Sequence, residues 1–158
     1  GEKGHLIGGV CKARQGVEAA NIGSERGSRT EISFGQDYLV MDQIEVTERE
    51  TEKIKAALLA LDKRIAALVS AKASLDAARA EKVRLMKLVE KYGMRLFTLR
   101  EKFEEHHGSE IRVRGTIFPG VVMESHGRYY EVKQKRSRVV FYFDRESGRI
   151  QEKPLQQP

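Results

Sequence analysis

The sequence predicts an α+β protein: a β-solenoid framework whose course is broken by a long antiparallel coiled-coil hairpin. Three observations predict it. Residues 1–44 are cut by Gly4, Gly8, Gly9, Gly16, Gly23, Gly27 and Gly35 into pieces too short for ordinary helices. Neither Gly nor Pro occurs between Gly35 and Gly93, and apolar residues there recur at heptad spacing. From residue 109 onward, strand-like alternation and turn pairs return.

In residues 1–44 the runs "HLI", "GVEA" and "TEISF" read as short strands with tight corners. Thr30, Ile32 and Phe34 alternate with Glu31 and Ser33, the period of a half-buried strand. Two or three such strands cannot close a core unaided; they need neighbours stacked on them, as solenoid courses have.

Residues 45–108 carry two seams. Ile54, Leu58, Leu61, Ile65, Leu68 and Leu75 follow heptad spacing with Lys72 as the polar exception, and Leu85, Val89, Tyr92, Leu96, Leu99 and Phe103 follow it out of phase with the first set. The phase shift near residues 70–84 has two readings: a stutter in one continuous helix, or a chain reversal. A continuous helix of some sixty residues would span about 90 Å and strand the β segments at opposite ends. A hairpin with arms of about 45 Å brings Ile111 back beside Ile44, and is the reading adopted. Ser74 and Asp76 are candidate N-caps of the second helix, whose interior Gly93 weakens it locally by about 1 kcal/mol relative to Ala.

Residues 109–153 complete the β framework. Ile111, Val113 and Ile117 alternate with Arg112, Arg114 and Thr116; Pro119 and Gly120 form a turn; "SHGR" forms a hairpin turn around His126 and Gly127; "VVFYFD" is a dense β-branched and aromatic strand. Residues 154–158 read as a frayed tail.

Composition narrows the function. A charged fraction of 33% against 40% hydrophobic suits a modest core with a solvated, elongated part. No run approaches the roughly 18 apolar residues of a membrane helix, and no signal peptide is visible. The chain opens on Gly1 in the middle of a strand-like pattern, which reads as an excerpt of a longer protein. Cys11 is the only cysteine, which suits a reducing cytoplasm and a small core residue rather than a nucleophile with a base beside it. No phosphate loop, nucleophile elbow or cofactor motif occurs. His106 and His107 are adjacent and point about 100° apart on a helix, so they do not clamp one metal; with His5 and His126 they read as solvated end and turn residues. The net charge of +6 divides as −1 over residues 1–44, +3 over 45–108 and +4 over 109–158, from five, fourteen and ten cations against six, eleven and six anions. Its densest cluster, Lys133, Lys135, Arg136 and Arg138, flanked by Tyr129, Tyr130, Phe141 and Tyr142, is a candidate interaction site. Together with cations of the heptad region it supports a nucleic-acid-binding alternative, against the simpler reading of a solvated connection.

The motifs "LIGG" at Leu6–Gly9, "IGS" at Ile22–Ser24 with Thr30 after it, and "GTIFPGV" at Gly115–Val121, set in this order around a heptad region, resemble the bacterial flagellar assembly protein A family over nearly the whole chain. The resemblance implies a parallel β-helix of Gly-cornered rungs with a projecting coiled-coil hairpin, this chain matching the C-terminal part of that β region. It also implies a non-enzymatic cytoplasmic scaffold without cofactor, with protein partners, in some bacteria a sugar phosphotransferase component. A first-rung edge left open in an excerpt would allow two copies to pair.

Overall fold

The structure, a computed structural model, describes residues 4–157. The first three positions of the expected solenoid segment and the last position of the expected tail lie outside the described residues. The chain forms two compact units: one made of the residues up to Tyr38 together with those from Glu104 onward, the other of Leu39–Phe103.

In the first unit, β1 (His5–Leu6) and β2 (Gly9–Ala13) make one course; β3 (Gly16–Ala19), β4 (Asn21–Ile22) and β5 (Thr30–Phe34) make the next. Beyond the helical segment, β6 (Glu110–Ile117) and β7 (Val121–Ser125) make a third. The courses stack in parallel: β1 on β4, β3 and β4 on β6, and β2 on β5 on β7. Equivalent residues therefore form rows, Gly9–Thr30–Val121 and Cys11–Ile32–Met123 among them. Alternation decides which side of each strand is buried. Thr30, Ile32 and Phe34 point inward and are buried, Glu31 and Ser33 less so, and β7 repeats the pattern with Val121, Met123 and Ser125. These side chains meet Ile22, Ile111, Val113, Ile117 and Phe141 of the other sheet in one core. Burying a side chain such as Ile32 or Ile117 stabilises the fold by roughly 1.5–3 kcal/mol. Cys11 is half-buried at the margin of this core, as a free thiol.

Glycine is needed where courses touch. Gly120 has φ +94°, and a Cβ there would lie 2.9 Å from the carbonyl oxygen of Gly27 in the course below. The Pro119–Gly120 turn thus combines a fixed proline φ with a left-handed residue packed against backbone.

The expectation of a parallel β-helix is corrected after the third course. Among the described residues, β8 (Arg128–Glu131) pairs antiparallel with β7, β9 (Arg136–Asp144) antiparallel with β6, and β10 (Arg149–Pro154) antiparallel with β9. At the two hairpins, β7–β8 and β9–β10, turn chemistry is the cause. His126 and Gly127 both lie in the left-handed region, at φ 51° and 73°, the geometry of a two-residue hairpin turn that can only return the chain antiparallel. At the next reversal the Asp144 carboxylate accepts the backbone N–H groups of Glu146 and Ser147. The tail expected to fray from residue 154 is instead partly held: β10 pairs through Pro154, and the Leu155 N–H donates to the Arg138 carbonyl at 2.8 Å.

The second unit consists of α1 (Tyr38–Ser70) and α2 (Asp76–Glu104), apart from the first residue of α1 and the last of α2. Asp62 pairs with Lys82 at 2.7 Å, and Glu48 with Arg100 at 2.8 Å, so as α1 is followed backward α2 is followed forward. Leu61, Ala78 and Leu85 are the buried centre, with Ile54, Leu58, Ile65, Leu68 and Leu88 packed against them. The α1 seam also runs further back than the apolar pattern reveals. Thr47 and Thr51 continue its spacing and are buried, their hydroxyls donating to the carbonyls of Gln43 and Thr47 at 2.7 and 2.8 Å. A hydroxyl bonded within its own helix can face a partner helix without an unsatisfied donor.

Lys72 makes the reversal. It has φ 53°; the Ala73 N–H donates to Leu68 O at 3.0 Å and the Lys72 N–H to Val69 O at 3.1 Å. These two bonds are a Schellman cap, which most often places Gly at the left-handed position. Lys72→Gly is therefore expected to raise the stability of the helical unit by about 0.5–1 kcal/mol, by removing the Cβ strain at positive φ. Chemical denaturation followed by helical circular dichroism measures this, and an unchanged or lowered midpoint contradicts the cap assignment.

Candidate interaction surfaces

The basic cluster lies on the connection from β8 into β9, and all four cations are exposed. Two are already engaged. Lys135 lies 3.6 Å from Glu25 and over the Phe118 ring, and Arg136 lies 3.7 Å from Glu152. Lys133 carries no ion pair among the described residues. Arg138 has φ 53°, bends the strand start, and uses its carbonyl to hold Leu155. The aromatics do not form a common stacking platform: Phe141 is fully buried and packs on Tyr130, while Tyr129 is 76% exposed. Alternating strand positions divide them between core and solvent.

The seam residues are brought together along the helices. Leu61, Leu85, Leu96 and Leu99 are buried; Ile54, Leu58, Ile65, Leu68, Val89, Tyr92 and Phe103 are half-buried; Leu75 precedes α2, its carbonyl accepting the N–H of Arg79. Pro119 and Gly120 form the corner between β6 and β7.

The structure joins two histidines that the sequence leaves apart. His106 Nδ1 and His126 Nε2 are 3.2 Å apart, and the Phe143 ring packs against both. The His126 N–H donates to Oε1 of buried Gln36 at 2.9 Å, and the His107 N–H donates to the Gly35 carbonyl at 2.9 Å. The segment leading out of β5 is thus pinned to the one that returns into β6. No spacing rule links positions 106 and 126; only the hairpin turn at His126 and the return strand place them together. Among the described residues no group of three or more His, Cys, Asp or Glu is placed to hold a metal ion, so this pair lacks a third ligand. Its chemistry is hydrogen bonding: one ring must donate and the other accept, which two imidazolium rings cannot do.

A groove of about 720 Å³ adjoins His106 and is lined by Ser109, Glu110, Arg112, Tyr142 and Phe143 among others. Its charges compensate one another. Glu110 accepts from Lys153 at 2.6 Å and from Arg112 at 3.0 Å, which holds its carboxyl below the usual range. No helix among the described residues is long and apolar enough to cross a membrane.

Burial pushes both imidazoles below their ordinary value; neighbouring His126, Arg145 and His107 add to this at His106, while Glu104 and Glu124 partly oppose it at His126. A depressed native pKa means that the unfolded chain takes up protons first as pH falls below about 6.5. The stability that the neutral pair contributes is complete above that pH and declines as pH falls toward 5. Glu110, also depressed, keeps its contribution until the pH falls into the carboxylate range, where the unfolded chain begins to protonate, so its window lies below that of the histidines. Denaturation midpoints between pH 7.5 and 5 are expected to fall, and to flatten in the His106→Gln/His126→Gln variant. An equal slope in the variant contradicts the assignment.

A family model described as the flagellar assembly protein A β-solenoid domain matches residues 1–150. No curated protein and no solved structure matches the chain. The resemblance carried by "LIGG", "IGS" and "GTIFPGV" is thereby borne out, and the rows formed by β2, β5 and β7 supply the stacked parallel courses that the family's description requires. With 150 of 158 residues matched, the chain belongs to the flagellar assembly protein A β-solenoid domain family.

Proposed function

We propose that this chain is a non-enzymatic scaffold of the bacterial cytoplasm that holds protein partners during flagellar assembly, using the β framework as its base and the two helices as an inserted coiled-coil arm. One observation carries the reading. Strands on either side of Leu39–Phe103 pair directly, β5 with β7 and β3 with β6, so the core of the β unit is built without a strand from the helical segment. A segment of that length, not required by the ladders it interrupts, is explained by the surface it presents.

Two kinds of docking surface support the reading. Among the described residues β2 pairs with β5, and its Val10 is 65% exposed, so that course carries apolar surface that a neighbouring strand would cover, whether from the same protein or a partner. The helices offer long, charged, rigid faces. The basic cluster gives no matching support to nucleic-acid binding, because two of its four cations are engaged by carboxylates.

The test is genetic. Deleting the gene for this chain is expected to reduce the number of flagella per cell counted by electron microscopy, and the full chain is expected to restore it. A chain in which residues 39–103 are replaced by a Gly-Ser linker is expected to accumulate as a β-rich protein without restoring flagella. Normal flagellation after deletion would sink the assembly role; restoration by the armless chain would sink the role of the arm.

A further inference from the structure

The outward face of α2 carries a second apolar stripe that the seam does not use. Val83, Met86, Met94 and Phe97 are 51%, 54%, 68% and 64% exposed. At 100° per residue they lie within about 40° of Glu90 around the helix axis, on the side away from Leu85 and Leu96. Their order is symmetric about Glu90. Met86 and Met94 each stand four residues from it, Val83 and Phe97 seven, and Arg79 and Glu101 eleven. Spacings of four, seven and eleven are those that keep residues on one helix face.

We infer that this face pairs with the same face of a second copy of the chain, the two α2 helices antiparallel about a two-fold axis at Glu90. In that arrangement residues equidistant from Glu90 meet at the same level: Met86 with the partner's Met94, Val83 with the partner's Phe97, and Arg79 with the partner's Glu101. The pattern is self-complementary in volume and charge, as a two-fold interface requires. Arg79, Glu90 and Glu101 carry no ion pair among the described residues, so all are available for it. The two Glu90 carboxylates approach at the axis, where Lys87 and Lys91 of both copies flank them and offset the repulsion. Gly93 also gains a use. Nothing lies within 4 Å of a Cβ built there, although Gly costs a helix interior about 1 kcal/mol. At that level it leaves room on the same flank for the other copy's Met86. An unrelated helix would need none of this symmetry, and a lipid surface would gain nothing from the match of Arg79 to Glu101. The inference goes beyond the scaffold reading and does not depend on it.

A stripe of this length suits a weak dimer, below the roughly 1,200 Å² of standard interfaces, with dissociation in the micromolar range. Sedimentation equilibrium of the full chain is expected to show a species of twice the 17.9 kDa chain mass at high micromolar concentration. Glu101→Arg is expected to weaken it about five- to tenfold, since two symmetry-related pairs become repulsive. Adding Arg79→Glu to that variant is expected to restore affinity to within about twofold, which a merely structural effect would not do. Met86→Ser/Phe97→Ser is expected to abolish the dimer with helical circular dichroism unchanged. In a Cys11→Ser background, Glu90→Cys is expected to cross-link between copies with a short bismaleimide, whereas Lys53→Cys is not. A chain that stays monomeric, or a dimer indifferent to the charge swap and to Met86 and Phe97, overturns the inference; the second outcome would point to pairing through β2. Binding to anionic vesicles that competes with dimerisation at Met86 and Phe97 would also overturn it.

Discussion

Everything in this molecule depends on the parallel pairing of β5 with β7, in which Thr30, Ile32 and Ser33 lie against Val121, Met123 and Glu124 although the entire helical segment intervenes in sequence. Parallel strands cannot be joined by a tight turn, so some crossover must separate them. Between β2 and β5 that crossover is β3 and β4; between β5 and β7 it is β6, with the helical excursion added before it. Closing a loop costs free energy that grows only logarithmically with its length, so many more residues add little to the cost. Antiparallel helices reduce it further, because Glu48 near the start of α1 and Arg100 near the end of α2 are already side by side within their own unit. The helical unit keeps the ends of its own segment close enough for the ladder to form.

That constraint explains the tight chemistry around the exit and the return. Gly35 is buried, and a Cβ there would crowd the Ser125 and Ser109 hydroxyls. Gln36 is buried and accepts from the His126 backbone, and Gly35 accepts from His107. The His106–His126 pair sits on the same junction. Lowering the pH loads protons onto rings that must share one hydrogen bond, so the stress falls where the chain leaves and re-enters the β framework.

Much of this was legible in the sequence because the signals are periodic. Glycine corners, the alternation of Thr30, Ile32 and Phe34, and the two out-of-phase seams follow from strand and helix repeats that local reading detects. What escaped had no local signature. Lys72 closes the helical reversal in a conformation that usually signals glycine, so the turn had no punctuation. Thr47 and Thr51 extend the seam as polar residues, invisible to a count of apolar ones. His126 and Gly127 looked like a turn, but that they end the parallel stack depends on both residues adopting positive φ. The basic cluster was legible as charge, whereas its partners Glu25 and Glu152 are distant in sequence and come close only through the fold. The meeting of His106 with His126 is likewise a product of topology.

The central claim is that strands before and after the helical segment belong to one ladder in one chain. Lys12, Ser33, Glu124 and Tyr129 lie in a single row across β2, β5, β7 and β8, which puts the outer two about 14–15 Å apart along the sheet. The most direct test is a double electron–electron resonance distance between spin labels on Lys12→Cys and Tyr129→Cys in a Cys11→Ser background, diluted with unlabelled protein to isolate distances within one chain. A single population near 15–25 Å is the predicted result. A separation beyond about 50 Å, as an unbroken helix between two independent β pieces would impose, would contradict the account.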